Sequence, residues 1–333
     1  MHRIALLALA ALALLASAVE PALGASNKPL KPQLGRTVLL KPGSGRVIVK
    51  QRGQRQFKLR KPALVKVGSK VDTSKGAVKL TSAVNSKRTQ SGTFSEGAFI
   101  VTQRKSDGLT DLALTGGDFG VCSAARAAGK PVRAAASRRR GLFGRAHGRF
   151  RTRGRNSSAT VRGTEWLTED RCEGTVIKNV SPSPTSKVDT QARDLEFELE
   201  PGWTVTYYCN HLTIEPDTYC TVLLARPDDG LIGGGIVTQV DVPNYALCVS
   251  APDDSYGCFQ FPLSTRSAEG FRQAVFGCAV NTPGTYYFGW SLDGENLLDP
   301  GLLSLVINKP APGTACNSNN DPPAAGAKRI PRV

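Results

Sequence analysis

The hydrophobic positions of this chain recur in short runs, and Gly- and Pro-containing breaks separate the runs. In the first half they are 38–40, 46–50, 56–60, 64–67, 77–81, 98–103 and 109–114; in the second half they are 194–199, 204–209, 220–225, 236–242, 245–250, 284–292 and 302–307. Strand-like runs with such turns between them predict an all-β fold. The segment 264–274 is a candidate for a short helix, although Gly270 would weaken it.

The segment 148–172 begins with a strict alternation. Arginine occupies every second position, at Arg149, Arg151, Arg153 and Arg155. Because alternate side chains leave opposite faces of a strand, this spacing predicts four guanidinium groups on one face, with Phe150 and Thr152 turned inward. Turn-prone residues 156–158 and a second strand-like run, 159–167, follow, so the segment predicts a basic hairpin or two successive coils.

Two interpretations of these arginines stay open. Guanidinium forks suit planar, bidentate anions, so the face is a candidate anion-binding site. Charged residues also keep exposed edge strands from pairing with other chains, which would give the same pattern a structural role. The run Arg138, Arg139 and Arg140 extends the anion-binding candidate; its alternative is a solvated basic loop or a protease site.

The amino terminus has the composition of a secretory signal peptide. Residues 1–3 are a short basic region, an apolar run to residue 18 follows, and small residues precede a cleavage site after Gly24. The apolar run is shorter than the ~20 residues that a membrane-spanning helix needs. We therefore expect a secreted, extracytoplasmic protein, cell-wall-associated or extracellular, with no transmembrane segment in the mature chain.

Composition and charge divide the rest of the chain into two modules. After the signal peptide (1–24) we predict a leader (25–36), a basic β domain (37–182) with a flexible Arg- and Ala-rich insertion at about 122–147, a linker (183–189), a β-sandwich of jelly-roll or immunoglobulin-like type (190–310) and a disordered tail (311–333). Residues 26–189 carry 34 Lys and Arg against 10 Asp and Glu, whereas residues 190–333 carry 8 against 16. Such a basic first module predicts a polyanionic partner whose binding weakens as salt rises.

The even number of cysteines predicts disulfides formed outside the cytoplasm. They are Cys122, Cys172, Cys209, Cys220, Cys248, Cys258, Cys278 and Cys316. A bridge between the first two would close a loop of about 50 residues and contribute roughly 4 kcal/mol in the chain-entropy model, while the connectivity of the other six stays open. No pair has CxxC spacing and only His147 and His211 remain after cleavage, so we predict no metal site and no cofactor.

Two segments resemble FecR-type domains. Residues 64–81, LVKVGSKVDTSKGAVKLT, are similar to the opening of such a domain, with its VGS turn and the strand that follows. Residues Val161, Arg162, Gly163 and Thr164 are similar to the VRGT turn of its second half, and 174–180 resembles its closing strand. The resemblance covers about 64–180.

This resemblance implies a compact all-β extracytoplasmic domain, often with parallel or coiled short strands, which in the best-known members senses signals through an anti-sigma partner. It also implies structural roles for the turn: Gly163 where no side chain fits, Arg162 bracing the adjoining turn, and Thr164 capping it by a hydrogen bond. Those members carry a transmembrane helix and a cytoplasmic tail that this sequence does not show, so the signalling role is not carried over.

Catalytic patterns are weak in comparison. We find no GxSxG, Walker or dinucleotide-binding motif. The neighbouring acids are Glu169 with Asp170, Asp228 with Asp229, and Asp253 with Asp254; they are candidates for glycan hydrolysis, and their alternative is a solvated turn or, for the last pair, a metal ligand. The aromatic residues Trp203, Tyr207 and Tyr208 are candidates for a sugar-stacking platform, and their alternative is the sandwich core.

The sequence therefore predicts a non-enzymatic binding or structural protein of the cell envelope. Its basic β domain would contact an anionic cell-wall polymer or an envelope protein, and nucleic acid is a further polyanion that the charge would attract. The alternatives are a protein-interaction or signal-sensing module of FecR type and a glycan hydrolase.

Overall fold

The structure is a computed structural model, and it describes residues 29–122, 139–161, 164–172, 174–180, 186–190, 196–210, 218–240, 244–253, 256–263, 272–280, 282–291, 297–298, 303–311 and 328–330. The strands are β1 (Thr37–Lys50), β2 (Phe57–Lys58), β3 (Ala63–Lys66), β4 (Lys70–Ala83), β5 (Thr89–Ser95), β6 (Ala98–Gln103), β7 (Thr110–Leu114), β8 (Arg140–His147), β9 (Phe150–Arg153), β10 (Ser157–Val161), β11 (Thr164–Arg171), β12 (Gly174–Asn179), β13 (Ser186–Thr190), β14 (Glu196–Leu199), β15 (Thr204–Cys209), β16 (Tyr219–Arg226), β17 (Leu231–Thr238), β18 (Asn244–Ser250), β19 (Tyr256–Pro262), β20 (Arg272–Ala279), β21 (Gly284–Ser291), β22 (Leu303–Ile307) and β23 (Lys328–Ile330). The predicted all-β class is confirmed.

The first sheet branches at the two long strands β1 and β4, which pair with each other along most of their length. The carboxyl-terminal half of β4 pairs with β5, whereas its amino-terminal half pairs with β6. One branch continues through β8, β11, β12, β15, β16, β17 and β20, and the other continues through β7, β9, β10, β13 and β14. Among these pairings only that of β7 with β9 is parallel.

A bend in the β1–β4 ribbon separates the two branches. Gly45 and Gly76 face each other across the ribbon, and the register shifts between Pro42 and Gly45. Gly45 has a φ of +68°, and a side chain on either glycine would overlap the backbone of the opposite strand. The runs 38–40 and 46–50, predicted as separate strands, therefore form one bent strand.

The two branches pack face to face around the first core. Phe94 of β5 contacts Phe150 of β9 with ring centroids 5.5 Å apart, and its ring lies 5.9 Å from that of Phe99 on β6. The indole nitrogen of Trp166 on β11 donates a hydrogen bond of 2.7 Å to the hydroxyl of Thr152 on β9. All five side chains are fully buried, so these contacts hold the layers together.

A second core lies between the far end of the large sheet and a smaller sheet. The smaller sheet has the order β22–β21–β18–β19, with β23 beside β19. The β15–β16 hairpin takes part in both cores: Val205, Val222 and Leu224 pack on the first, whereas Tyr208 and Leu223 pack on the second. Because β15 also pairs with β12, one sheet runs from the first predicted module into the second.

Several segments differ from the sequence predictions. Residues 140–147, predicted to be part of a flexible loop, form β8, and the linker contains β13. Residues 272–274, in the candidate helix, lie in β20. Glycine is typical of loops, so the composition of 140–147 did not predict a strand. In the structure Gly144 makes room for a neighbouring aromatic ring, because Trp166 lies over it.

Three disulfides are formed among the described cysteines. The predicted Cys122–Cys172 bridge is confirmed. The other two, Cys209–Cys220 and Cys248–Cys258, each join directly opposed residues of an antiparallel pair. The side chain of Cys278 and all of Cys316 lie outside the described residues, as do the signal peptide and most of the tail. In the described part of the chain, no helix is long and apolar enough to cross a membrane.

The turn between β5 and β6 gives a stability prediction. Gly97 lies where the chain passes from one layer to the other, and a Cβ there would overlap the carbonyl oxygen of Gly141. We expect Gly97→Ala to lower the free energy of unfolding by about 3 kcal/mol, because two backbones must separate. The matched control is Gly141→Ala, whose Cβ would lie 3.5 Å from Leu167; there we expect a change below about 1 kcal/mol. Urea unfolding measures both, and equal midpoints would contradict this account.

Candidate anion-binding surfaces

The alternating arginines lie on β9 and the residues that flank it. Phe150 and Thr152 are fully buried, whereas Arg151 and Arg153 point away from the core. β9 pairs with β10 through the turn at 154–156, so the predicted hairpin is formed. β9 also pairs with β7 on its other side. It is therefore an interior strand, and the interpretation that these arginines guard an exposed edge does not apply.

Aspartates from the β6–β7 connection and from β7 neutralise this arginine face in part. Asp107 accepts from Arg104 at 2.6 Å and from Arg149 at 3.0 Å. The hydrogen bond from Arg104 lowers the pKa of Asp107 to about 2, so Asp107 is ionised at any pH well above that value. Asp111, directly beside Arg151 in the parallel register, binds that residue at 2.6 Å.

The remaining arginines of the face differ in exposure. Arg153 lies 3.5 Å from the same Asp111 carboxylate, and 42% of its side chain is exposed. Arg149 is 43% exposed, whereas Arg151 is 25% exposed. The face therefore keeps two accessible guanidinium groups, each with one carboxylate close by.

Arg155 belongs to a different cluster. Its guanidinium and that of Arg140 each lie 5.0 Å from the centre of the Phe119 ring. The carboxylate of the fully buried Asp170 accepts from Arg140 Nε and Nη2, both at 2.8 Å, and from the Arg155 backbone N–H at 2.7 Å. These contacts lie beside the Cys122–Cys172 bridge. Arg139 is exposed, and Arg138 lies outside the described residues.

A second cationic surface, which the sequence patterns did not predict, lies on the β1–β4 ribbon. Three pairs of cations face each other directly: Lys41 with Lys79, Arg46 with Lys75, and Lys50 with Lys70. Five of the six side chains are exposed and Lys70 is half-buried. None of the six has an ion-pair partner among the described residues, and Asp72 is the single acid on the two strands. We call these six residues the lysine ribbon.

The lysine ribbon and the arginine face share one outer surface. They meet at the end of the ribbon where Lys50 and Lys70 lie, which we call the lower end; Lys41 and Lys79 mark the upper end. A single cross-strand row runs through Lys50, Lys70, Ile100, Ala113 and Arg153. Strands lie about 4.8 Å apart, so Lys50 and Arg153 are roughly 19 Å apart along this row. The two surfaces are neighbours, with the apolar residues Ile100 and Ala113 between them.

The other predicted site residues are spread through the molecule. Tyr207 and Tyr208 are buried, and Trp203 packs on the first core, so these aromatics form core and not a platform. Glu169 pairs with Arg171, and Asp229 pairs with Arg226 at 2.5 Å. His147 is exposed at the end of β8, whereas His211 and Asp254 lie outside the described residues.

The VRGT turn is described only at its ends. Val161 closes β10 and is buried, and Thr164 opens β11 and donates a hydrogen bond of 3.3 Å to the side-chain oxygen of Asn179. Arg162 and Gly163 lie outside the described residues.

Comparison with known proteins gives no relative. No protein-family model matches the chain, and no curated protein and no solved structure matches it. The resemblance of residues 64–180 to FecR-type domains stays a prediction.

Two ion pairs between β8 and β11 give a matched test of burial. Arg140 faces the fully buried Asp170, and Arg145 faces Glu165 at the surface, where 64% of the arginine side chain is exposed. Arg140→Gln should lower the free energy of unfolding by about 3 kcal/mol, because a buried carboxylate loses its cation. Arg145→Gln should change it by less than about 0.5 kcal/mol. Thermal and urea unfolding measure the difference; equal effects would show that Asp170 does not depend on Arg140.

Proposed function

We propose that this chain is a non-enzymatic, extracytoplasmic binding protein whose first module contacts an anionic polymer. Three disulfides suggest an oxidising environment outside the cytoplasm. The first module carries the excess of positive charge, whereas the second is acidic. A polyanion would be attracted to the first module and repelled by the second.

The observation that carries this proposal is the set of like-charge pairs on the lysine ribbon. Like charges directly opposite each other destabilise a sheet, and Thr or Ser at the same positions would avoid that cost. Protection of a sheet edge does not explain Lys70 and Lys79, because β4 has a paired strand on both sides at these two positions. A bound polyanion would remove the repulsion between the paired cations. Binding therefore explains why these residues are cations, whereas a contribution to fold stability does not.

The arginine face is a second contact in this proposal. Its guanidinium groups already hold Asp107 and Asp111, so an incoming anion must share them or displace the aspartates. We therefore expect the lysine ribbon to contribute more to affinity than the β9 arginines.

Binding to the cell-envelope fraction of the producing organism tests this function. The mature protein should bind that fraction, its affinity should fall steeply as salt rises, and extraction of the acidic polymers should abolish binding. The ribbon variant K41Q/K50Q/K70Q/K79Q should bind at least about tenfold more weakly at physiological salt, because four unpaired cations are lost. The arginine variant R149Q/R151Q/R153Q should lose less.

The control variant K31Q/K87Q/R88Q/K105Q removes the same charge from exposed positions outside the ribbon. It should bind within about threefold of the unchanged protein. Binding that ignores salt and polymer extraction would contradict the proposal and would favour the alternative of a protein partner. Equal losses in the ribbon and control variants would mean that net charge alone decides binding.

A further inference from the structure

The three cation pairs of the lysine ribbon form a linear array. Lys41 and Lys50 are nine residues apart on β1, and Lys79 and Lys70 are nine residues apart on β4. At about 3.3 Å per residue, the array is roughly 30 Å long, or somewhat less because of the bend. Val38, Leu40, Val47 and Val49 point into the core, so the alternating cations on β1 lie on the outer side both above and below the bend.

At the upper end of the array, the neighbouring surface carries only short, polar side chains from β5. The side chains of β5 that share this outer side are Thr89, Ser91, Thr93 and Ser95. Thr93 lies directly beside Lys79 in the cross-strand row. Small hydroxyl side chains leave room for a chain lying along the ribbon, and they supply hydrogen-bond donors to its oxygens.

A path along the ribbon meets more cations than a path across the strands. Along it, the three pairs follow one another with a single acid, Asp72, on the same two strands. Across it, the upper row passes from Lys79 through Thr93 to Arg145, which Glu165 already neutralises. The lower row is interrupted by Ile100 and Ala113.

The residue types indicate which anion fits. Five of the six cations are lysines, which act as compact point charges and bind single oxygens of a phosphate well. Arginine forks, which suit carboxylates and phosphates alike, are already held elsewhere in this molecule by Asp107, Asp111 and Asp170. The exposed aromatic residue Phe57 lies opposite the core-facing Val49, away from the cations, so the ribbon lacks a stacking platform for nucleic-acid bases among its described residues.

We propose that the lysine ribbon binds a linear phosphate polymer lengthwise, with all three cation pairs in contact with one chain over about 30 Å. This inference rests on the proposed function and adds the chemical class of the ligand and its direction on the sheet. It distinguishes the ribbon from a general basic surface, because affinity must then depend on the length of the polymer.

The test uses inorganic polyphosphate of graded length and the mature protein, with binding followed by calorimetry. The affinity for one polyphosphate chain should rise by at least about 100-fold from tripolyphosphate to chains that span the ribbon. It should not rise further for longer chains. Six contacts predict a slope of log affinity against log salt of about four, at roughly 0.7 per phosphate of a flexible chain. The end variants K41Q/K79Q and K50Q/K70Q should each lower that slope by about a third and shift the plateau to shorter chains.

The controls separate the direction and the chemistry of binding. R145Q removes the cation at the far end of the upper cross-strand row and should leave the length dependence unchanged, whereas loss of it there would mean a transverse path. Polyglutamate of matched charge should bind at least about tenfold more weakly; equal or tighter binding would overturn the phosphate assignment. Preferential binding of a single-stranded oligonucleotide of matched charge would show that bases are bound as well, and would overturn a site that recognises phosphate alone.

The outcome is separable from that of the proposed function. Salt-sensitive binding to the envelope fraction, combined with polyphosphate affinity that does not change with chain length, would overturn the lengthwise site and keep the polyanion-binding function. Failure of both would overturn both. Circular dichroism and melting temperature verify that each Lys→Gln variant is folded, which we expect because the substituted side chains lie on the outer surface.

Discussion

The close approach of the β1 and β4 backbones at Gly45 and Gly76 is the constraint on which the two-layer architecture depends. The two strands can bend there because neither carries a side chain at the crossing. On the edge of β4 opposite β1, β5 pairs with the carboxyl-terminal half of the strand and β6 pairs with the amino-terminal half. The aromatic core that Phe94 and Phe150 form lies between the layers because the two halves of the bent ribbon lead into different layers.

The basic residues of the first module meet two different environments. Arg140 and Arg151 lie partly below the surface and are held by Asp170 and Asp111, so they contribute to the fold. The lysines of the ribbon face other cations and are left to solvent. A count of charges in the sequence does not distinguish these arginines from the ribbon lysines. Only the ribbon lysines, which have no carboxylate partner among the described residues, remain available to bind an external anion.

The fold class, the Cys122–Cys172 bridge and the inward direction of Phe150 and Thr152 could be predicted from the sequence, because alternation and cysteine count are local signals. Strand β15 was predicted with its observed bounds for the same reason. The lysine ribbon could not be found in this way. Lys41 and Lys79 are 38 residues apart, and their contact is fixed by a long-range register that depends on the bend. The aspartates beside the β9 arginines were missed because a parallel pairing with β7 brings them there.

The β15–β16 hairpin has apolar side chains on both faces, and each face packs against a different core, although Val222 and Leu224 are only partly buried. Val222 and Leu224 belong to one core, and Leu223 between them belongs to the other. Melting either core would uncover one side of the hairpin and weaken the backbone that supports the other. The two cores are therefore thermodynamically dependent on each other, and a proteolytic fragment that ends before this hairpin would expose an apolar strip on the body left behind.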